Sequence, residues 1–288
     1  VSAPSFITPF VTRFAPSPTG LLHRGHAFSA LTAFEAARAA GGRLLLRIED
    51  IDTARCRSEF DVAILEDLAW LGLEWNTPER RQSEHLDDYR AALAALEGRG
   101  LIYRCFKTRS EVLTDIGRAP HGPATSFRGA PLGGAEEARL IADGRPFAWR
   151  LSLAAAAREL GDLSGLTFIE EGTGPNGEIG LIAANPERSG DVILARKDLG
   201  VAYHLAVVVD DALQEVSHVI RGADLFEAAH IQRLLQALLG LPTPIYRHHR
   251  LLLRADGKRL AKRDQAETLR ELRARGITVA TLRAELGF

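Results

Sequence analysis

Cysteine occurs only twice in the 288 residues, as Cys56 and Cys105, and that scarcity removes two classes of protein. A disulfide-stapled scaffold needs more half-cystines, and a four-cysteine zinc site is arithmetically impossible. A reducing compartment is expected. Lysine is almost as rare: Lys107, Lys197, Lys258 and Lys262 are the only ones, so arginine supplies most of the positive charge among 36 basic residues. Against 37 acidic residues the formal net charge is -1, which excludes a uniformly basic nucleic-acid coat but leaves room for a local arginine face. No apolar run reaches the ~18–20 residues needed to span a bilayer, and the N-terminal segment lacks a basic stretch followed by a long apolar one. The expected location is cytoplasmic. Internal repeats and low-complexity tracts are also missing, apart from alanine-rich helical stretches.

What is there is a chain with 46% hydrophobic and 25% charged residues, enough to bury a sizeable core in one large domain or two modest ones. Phe10–Phe14 reads as a short buried strand, which Ala15-Pro-Ser-Pro-Thr-Gly20 must break. Alanine and leucine then recur at helical spacing from about Leu22 to Ala40, and Gly41-Gly42 marks the helix end. Arg43–Ile48 is a second buried strand that runs into the acidic cluster Glu49, Asp50 and Asp52. Strand, loop, helix and strand in this order predict a βαβ unit, hence a parallel sheet with ligands at the carboxyl ends of its strands. Amphipathic helices are expected over Ser58–Gly72 and Glu84–Gly98. From about Leu101 to Gly190 the alternation becomes irregular, which predicts an inserted subdomain. Parallel-strand patterning resumes at Asp191–Arg196 and continues through Leu205–Val209 and Val216–Ile220, with a helix from about Leu225 to Leu239.

Two constellations carry candidate chemistry. His23-Arg24-Gly25-His26 stands at the mouth of the first predicted helix, where unpaired N–H groups and the helix dipole favour phosphate. Both imidazoles would share one face of the first turn, and Gly25 would admit a flat ring or a backbone. Taken alone, the pair equally fits an ordinary packed or surface turn, and it lacks the further ligands a zinc site needs. The second is Asp256-Gly-Lys-Arg-Leu-Ala-Lys-Arg263, which holds two of the four lysines. Lys258, Arg259, Lys262 and Arg263 could neutralise a triphosphate losing pyrophosphate; alone, they also fit a solvated turn before a helix over about Ala266–Arg275. Together the two constellations form a two-part signature for adenylate chemistry.

The chain resembles the class I aminoacyl-tRNA synthetases, specifically their glutamyl branch. The resemblance rests on Thr12-Arg-Phe-Ala-Pro-Ser-Pro-Thr-Gly20, the His23–His26 turn, Arg47-Ile-Glu-Asp-Ile-Asp52, Ala202–Asp211, Val219-Ile-Arg-Gly-Ala-Asp-Leu225 and Arg259-Leu-Ala-Lys-Arg263, in family order. Only 25 residues follow Arg263, too few for a helical anticodon-binding region, and this resembles the truncated glutamyl-queuosine tRNA(Asp) synthetase paralogues. The resemblance implies an α/β fold: a Rossmann-like parallel sheet with an inserted α+β subdomain and a short helical C-terminal region. It divides the chain into a first catalytic half (1–100), an acceptor-binding-like insertion (101–190), a second catalytic half (191–244), and the lysine loop with its short helical end (245–288).

It also implies an activity. Glutamate is activated by ATP, with Mg²⁺ on the triphosphate and without a need for tRNA, and is then esterified to the cyclopentene diol of queuosine at the wobble position of tRNA(Asp). The alternative is a minimal glutamyl-tRNA synthetase core that charges the tRNA 3′ end. A non-catalytic relic is disfavoured, because the ATP signatures and the glutamate set persist together. By resemblance, glutamate is held by Arg13, Ser17, Glu49, Tyr203 and Arg221, with Glu49 on the α-ammonium and the arginines on carboxylates. Arg221 is the candidate that selects glutamate over glutamine. An arginine at a strand end also commonly pairs with a nearby aspartate, and Tyr203 could be core. ATP is assigned to His23, Gly25, His26, Lys258, Arg259, Lys262 and Arg263, with His23, His26 and Lys262 acting on the transition state. Arg247–Arg250 and Arg270–Arg275 are candidates for phosphate contacts or for solvated faces, and a monomer is expected.

The chain departs from the resembled pattern in its insertion. Many of the queuosine-type enzymes carry a Cys-x-Cys pair and a later Tyr-x-x-x-Cys. Here the segments read Cys105-Phe-Lys107 and Phe127-Arg-Gly-Ala-Pro131, so one zinc ligand of four remains. No zinc is expected, and the subdomain should rest on packing around Phe106, Phe127 and Phe147. In the lysine loop, Arg259 keeps the first basic charge and Ala261 stands where serine is frequent.

Overall fold

The structure, a computed structural model, describes residues 9–117, 126–196, 200–252 and 267–288. It begins with the expected βαβ unit: β1 (Val11–Phe14), α1 (Arg24–Ala39) and β2 (Arg43–Ile48). β1 is buried throughout, and β2 is buried from Leu46 onward. Gly41 turns the chain out of α1 at φ 60°. At Gly42 a Cβ would stand 2.2 Å from the Phe10 carbonyl oxygen, so only glycine lets β2 return beside β1. There follow α2 (Ser58–Trp70), β3 (Asn76–Arg81) and α3 (Leu86–Gly98). β1, β2 and β3 form a parallel sheet in the order β1-β2-β3.

The next stretch comprises β4 (Ile102–Cys105), α4 (Arg109–Gly117), α5 (Gly134–Ala142), β5 (Ala148–Leu151), α6 (Leu153–Leu160), β6 (Thr167–Glu170), β7 (Gly180–Ala183), β8 (Ile193–Arg196) and β9 (Gly200–Val201). β4, β5, β8 and β9 make an antiparallel sheet of their own. Cys105 packs there with Tyr103, Val112 and Phe127 in a small satellite core. Phe106 meets Phe147 at 5.5 Å, and the Arg104 guanidinium lies 4.2 Å from the Trp149 ring. The expected aromatic packing is therefore in place. Among the described residues no three His, Cys, Asp or Glu side chains come together as a metal site.

The chain closes with α7 (Tyr203–Leu213), β10 (His218–Gly222), α8 (Phe226–Leu239), β11 (Ile245–His249), α9 (Leu269–Ala274) and α10 (Val279–Leu286). Three expectations change. Asp191–Arg196, read as a strand of the resumed parallel sheet, holds β8, which pairs antiparallel with β5 and β9 in the insertion's sheet; a short apolar run does not encode which sheet or direction it joins. Leu205–Val209, read as a strand, lies inside α7, with Leu205 through Asp211 all buried. A short continuous apolar run fits a fully buried helix as well as a buried strand, and here α7 packs against α3 and α8. In addition, β6 and β7, read as part of the insertion, extend the second catalytic sheet in the order β10-β11-β6-β7.

The parallel β1-β2-β3 sheet and the parallel part of the second sheet meet where Ser217 N–H donates to the Val11 carbonyl at 3.0 Å and Val11 N–H donates to Ser217 Oγ at 2.8 Å. From β1 the strand order runs one way through β2, and from β10 it runs the other way through β11. That reversal opens a crevice at the carboxyl ends of β1 and β10, the general ligand position in such sheets. One core cluster lies around α1, β2, α2 and the C-terminal helices, and the other around α3, α6, α7 and α8. Among the described residues no helix is long and apolar enough to cross a membrane.

Candidate active site

The crevice is a cleft of about 660 Å³ lined by residues from both sheets. Arg13, Ser17, His23, Gly25, His26, Glu49, Tyr203 and Arg221 all line it. Eight residues spread over more than 200 positions of sequence thus reach one cavity. Lys258, Arg259, Lys262 and Arg263 lie outside the described residues. The flanks of their segment are nonetheless at the same place: Leu252 lines the cleft, Thr268 bridges His23, and Leu269 N–H donates to the Leu22 carbonyl at 2.9 Å.

His23 caps α1. Its Nδ1 accepts from Gly25 N–H at 3.1 Å, and His26 Nδ1 accepts from His23 N–H at 3.1 Å. The two rings lie 3.9 Å apart. Because each Nδ1 is an acceptor, each neutral ring carries its proton on Nε2. The capping arrangement therefore fixes two imidazole donors at the positive end of α1. Gly25 has a stricter reason than ligand access: a Cβ there would sit 2.9 Å from His23 Cε1.

The loop that follows β1 is tied to the end of β2 by Glu49 N–H, which donates to the Pro16 carbonyl at 3.0 Å. Glu49 points into a region crowded with charge. Burial pushes its carboxyl up, Arg47 and Arg13 pull it down, Asp211 and Asp210 push it up again, and the balance stands at about 7. A buried carboxyl poised near neutrality would ionise readily beside a ligand ammonium.

Arg13 is held from behind. Its Nε donates to Asp211 Oδ1 at 3.0 Å, and the same oxygen accepts from Arg47 Nη2 at 2.5 Å. Burial alone would raise the Asp211 carboxyl, but Arg13 and Arg47 hold it below the ordinary carboxylate range. Arg47 is fully buried, and its Nη1 lies 4.0 Å from Glu49 Oε1 without a hydrogen bond. The neighbouring Asp210 is satisfied separately by Arg80 Nε at 2.6 Å, Gln82 Nε2 at 2.7 Å and the Tyr89 hydroxyl at 2.8 Å. The strand-end pairing of Arg13 with an aspartate and its place on the cleft wall are thus both realised.

Arg221 is 5% exposed and reaches the cleft from β10. Its Nη1 donates to Gln232 Oε1 at 2.9 Å and approaches the Tyr203 hydroxyl at 3.5 Å, while Nη2 donates to the Leu225 carbonyl at 3.0 Å and Nε to His248 Nε2 at 3.0 Å. Beside it, burial and then the Arg221 charge push His204 down to about 4, so that ring adds no second positive charge. The Arg247–Arg250 segment divides between two environments. Arg247 pairs with Glu171 at 2.6 Å and His248 is buried, whereas His249 and Arg250 line the cleft, Arg250 lying 4.7 Å from the Phe28 ring.

Asp211, Arg47, Gln232 and His248 were not assigned from sequence. The signal for Arg47 and Asp211 was there, since a charge inside an otherwise apolar strand and an Asp-Asp pair ending an apolar run are both costly unless paired. Their mutual pairing, across 164 positions of sequence, was not visible.

A family model for the catalytic domain of class I tRNA synthetases (E and Q) matches residues 9–120 and 176–284. The chain belongs to that family. A protein of Rhodobacter capsulatus named glutamyl-Q tRNA(Asp) synthetase is 48% identical over 96% of this chain and 99% of its own length. One of the same name from Deinococcus radiodurans is 43% identical over 95% of the chain and 86% of its own. A glutamate–tRNA ligase of Prochlorococcus marinus is 37% identical, over 94% of the chain but 56% of its own length. Among solved structures, a glutamate tRNA ligase from Elizabethkingia meningosepticum in complex with its amino acid has a TM-score of 0.71 at 28% identity, covering 88% of this chain and 52% of that one. The synthetase is accordingly a ligase that uses ATP as substrate, and its fold class is that of the family.

Proposed function

We propose that this synthetase activates glutamate with ATP without requiring tRNA and transfers it to queuosine at the wobble position of tRNA(Asp). The observation that carries the reading is that Arg13, Ser17, Glu49, Tyr203 and Arg221 line the same cleft as His23 and His26. A substrate with one ammonium and two carboxylates needs one anion and cationic donors at two points. Glu49 takes the α-ammonium, while Arg13 and Arg221 take the carboxylates. Glutamine would leave the charge of Arg221 unpaired, at a cost of roughly a few kcal/mol. The identities to the glutamyl-Q relatives support the choice of acceptor.

ATP enters as its magnesium complex. An oxygen of the glutamate α-carboxylate attacks the α-phosphorus, the bond to the bridging oxygen breaks, and pyrophosphate leaves with the electron pair. His23 and His26 donate through Nε2 to the charge that builds on the phosphates, and Lys262, with Lys258, Arg259 and Arg263, neutralises the departing pyrophosphate. In the second step a hydroxyl of the queuosine diol attacks the glutamyl carbonyl, loses its proton, and AMP departs. The insertion holds no structural zinc in this reading and rests on its aromatic packing.

Glutamate-dependent pyrophosphate exchange in the absence of tRNA tests the first step; its absence in the wild-type protein refutes the activation proposal. Labelled-glutamate transfer to tRNA(Asp) with and without queuosine tests the second. Transfer that needs queuosine and survives enzymatic removal of the 3′-terminal adenosine supports it, whereas transfer to unmodified tRNA that this trimming abolishes would instead support a glutamyl-tRNA synthetase core.

A further inference from the structure

Behind Arg221 lies a line of polar groups that reaches out of the cleft into β6. Arg221 Nε–H donates to His248 Nε2 at 3.0 Å, and His248 Nδ1 meets Glu170 Oε2 at 2.5 Å. Glu170 Oε1 accepts from the backbone N–H groups of His248 and Gly172, both at 2.8 Å. Glu170 is 1% exposed and His248 2%, so both groups are shielded from bulk solvent. The surroundings are built to this line. Arg221 and His248 are register partners on β10 and β11, and the Tyr246 ring stacks parallel to the His248 ring at 5.9 Å. Phe226 closes on His248 edge-on at 5.2 Å. A Cβ on Gly172 would fall 2.2 Å from the His248 carbonyl oxygen, so the close approach of the β6 end to β11 depends on glycine.

We propose that Glu170 and His248 are positioning residues that fix the Arg221 guanidinium for the substrate side-chain carboxylate, and so contribute to the choice of glutamate over glutamine. The chemistry leaves one consistent proton arrangement. An arginine Nε can only donate, so His248 Nε2 must accept, and its proton must sit on Nδ1, directed at the Glu170 carboxylate. Burial, reinforced by the Arg221 charge and opposed by Glu170, keeps His248 below the ordinary histidine range, in keeping with a neutral ring. Glu170 sets the tautomer, the tautomer sets the acceptor, and the acceptor holds one edge of the guanidinium while Gln232 and the Leu225 carbonyl hold the other. Glu170 lies between the two segments matched by the family model, so a residue outside the matched core would be orienting one inside it.

This inference rests on reading Arg221 as a glutamate contact, and the experiment separates the two. Glu170→Gln is nearly isosteric but cannot offer acceptors on both sides. With its oxygen kept on the two backbone N–H groups, its NH₂ faces His248 Nδ1 and forces the proton to Nε2, against Arg221 Nε–H. In tRNA-independent pyrophosphate exchange the expected result is a rise of at least tenfold in the KM for glutamate, a KM for ATP within twofold of wild type, and a weaker preference for glutamate over glutamine. In an Arg221→Lys background, which has no Nε–H to position, the same substitution should change the glutamate KM less than twofold. A glutamate KM for folded Glu170→Gln within twofold of wild type overturns the relay, as does a full effect that persists in Arg221→Lys. If Arg221→Lys alone leaves the glutamate KM unchanged, the underlying assignment of Arg221 fails instead, and the relay's specificity role falls with it. Should Glu170→Gln not fold, imidazole ¹⁵N NMR of the wild-type protein decides: a His248 protonated on Nδ1 alone supports the relay, and a proton on Nε2 refutes it.

Discussion

Replacing Glu49 by glutamine should make the synthetase more stable and less active. The Glu49 side chain is 12% exposed, and its carboxyl stands at about 7 against an ordinary 4.5. In the unfolded chain the group ionises at its ordinary value, so between the two values the folded state binds the extra proton. Stability from this group is therefore fully present below 4.5 and is lost as pH rises through about 7. The interval corresponds to roughly 3 kcal/mol. An uncharged glutamine carries no such loss, so Glu49→Gln should exceed wild type by up to ~3 kcal/mol at pH 8, about 5 °C in Tm for a chain of this size, and by little near pH 4.5. Thermal melts of both proteins across that range measure it. A difference that does not grow with pH, or a variant less stable at pH 8, would refute the desolvated carboxyl. The same substitution removes the partner of the α-ammonium, worth roughly 1.5–3 kcal/mol, so the glutamate KM should rise roughly 10- to 100-fold. In the wild type an ammonium draws the Glu49 proton off, so glutamate binding should weaken as pH falls below about 7 and release a proton there, readable by calorimetry in buffers of different ionisation enthalpy.

Asp211→Asn removes the shared counter-ion of buried Arg13 and Arg47 and should cost about 3 kcal/mol in denaturant unfolding, together with glutamate affinity. Retention of full stability would mean that the two arginines find other partners. Gly25→Ala places a methyl 2.9 Å from His23 Cε1, so it should displace the capping ring and lower pyrophosphate exchange at least tenfold, with a loss of ~1 kcal/mol for the cap; an unchanged rate would separate His23 from the chemistry. Lys262→Ala should reduce exchange by orders of magnitude and leave glutamate binding by calorimetry largely intact, and an unaffected rate removes Lys262 from the mechanism. Elemental analysis of the purified protein should find no stoichiometric zinc; a tightly held equivalent would contradict the packing account of the insertion.

The candidate glutamate set comes from the resemblance, whose residues sit in short local patterns. Arg13 lies near the end of an apolar strand before a proline-glycine loop, Glu49 follows the next strand, and His23 and His26 occupy a helix start, so the βαβ rule carries these four to one edge of a sheet, whereas Tyr203 and Arg221 come from α7 and β10 in the second half of the chain. Leu205–Val209 was misread because burial on every side erases the periodicity that separates helix from strand. β6 and β7 were misplaced for a related reason: short, irregular and antiparallel to each other, they look like the insertion that precedes them, and only the pairing of β6 with β11 joins them to the second sheet.

By itself, then, the sequence determined the first βαβ unit and, through the short motifs that carry its resemblance, a list of candidate residues for ATP and glutamate, because those motifs are local. Only the tertiary structure decided how those residues are held. Arg13 leans on Asp211, Asp211 on Arg47, and Arg221 on His248 and through it on Glu170, over separations of 198, 164, 27 and 78 positions. The physical reason is that a buried charge must find its partner wherever the packed chain brings one within hydrogen-bonding distance, and spacing along the sequence does not encode which distant group that will be.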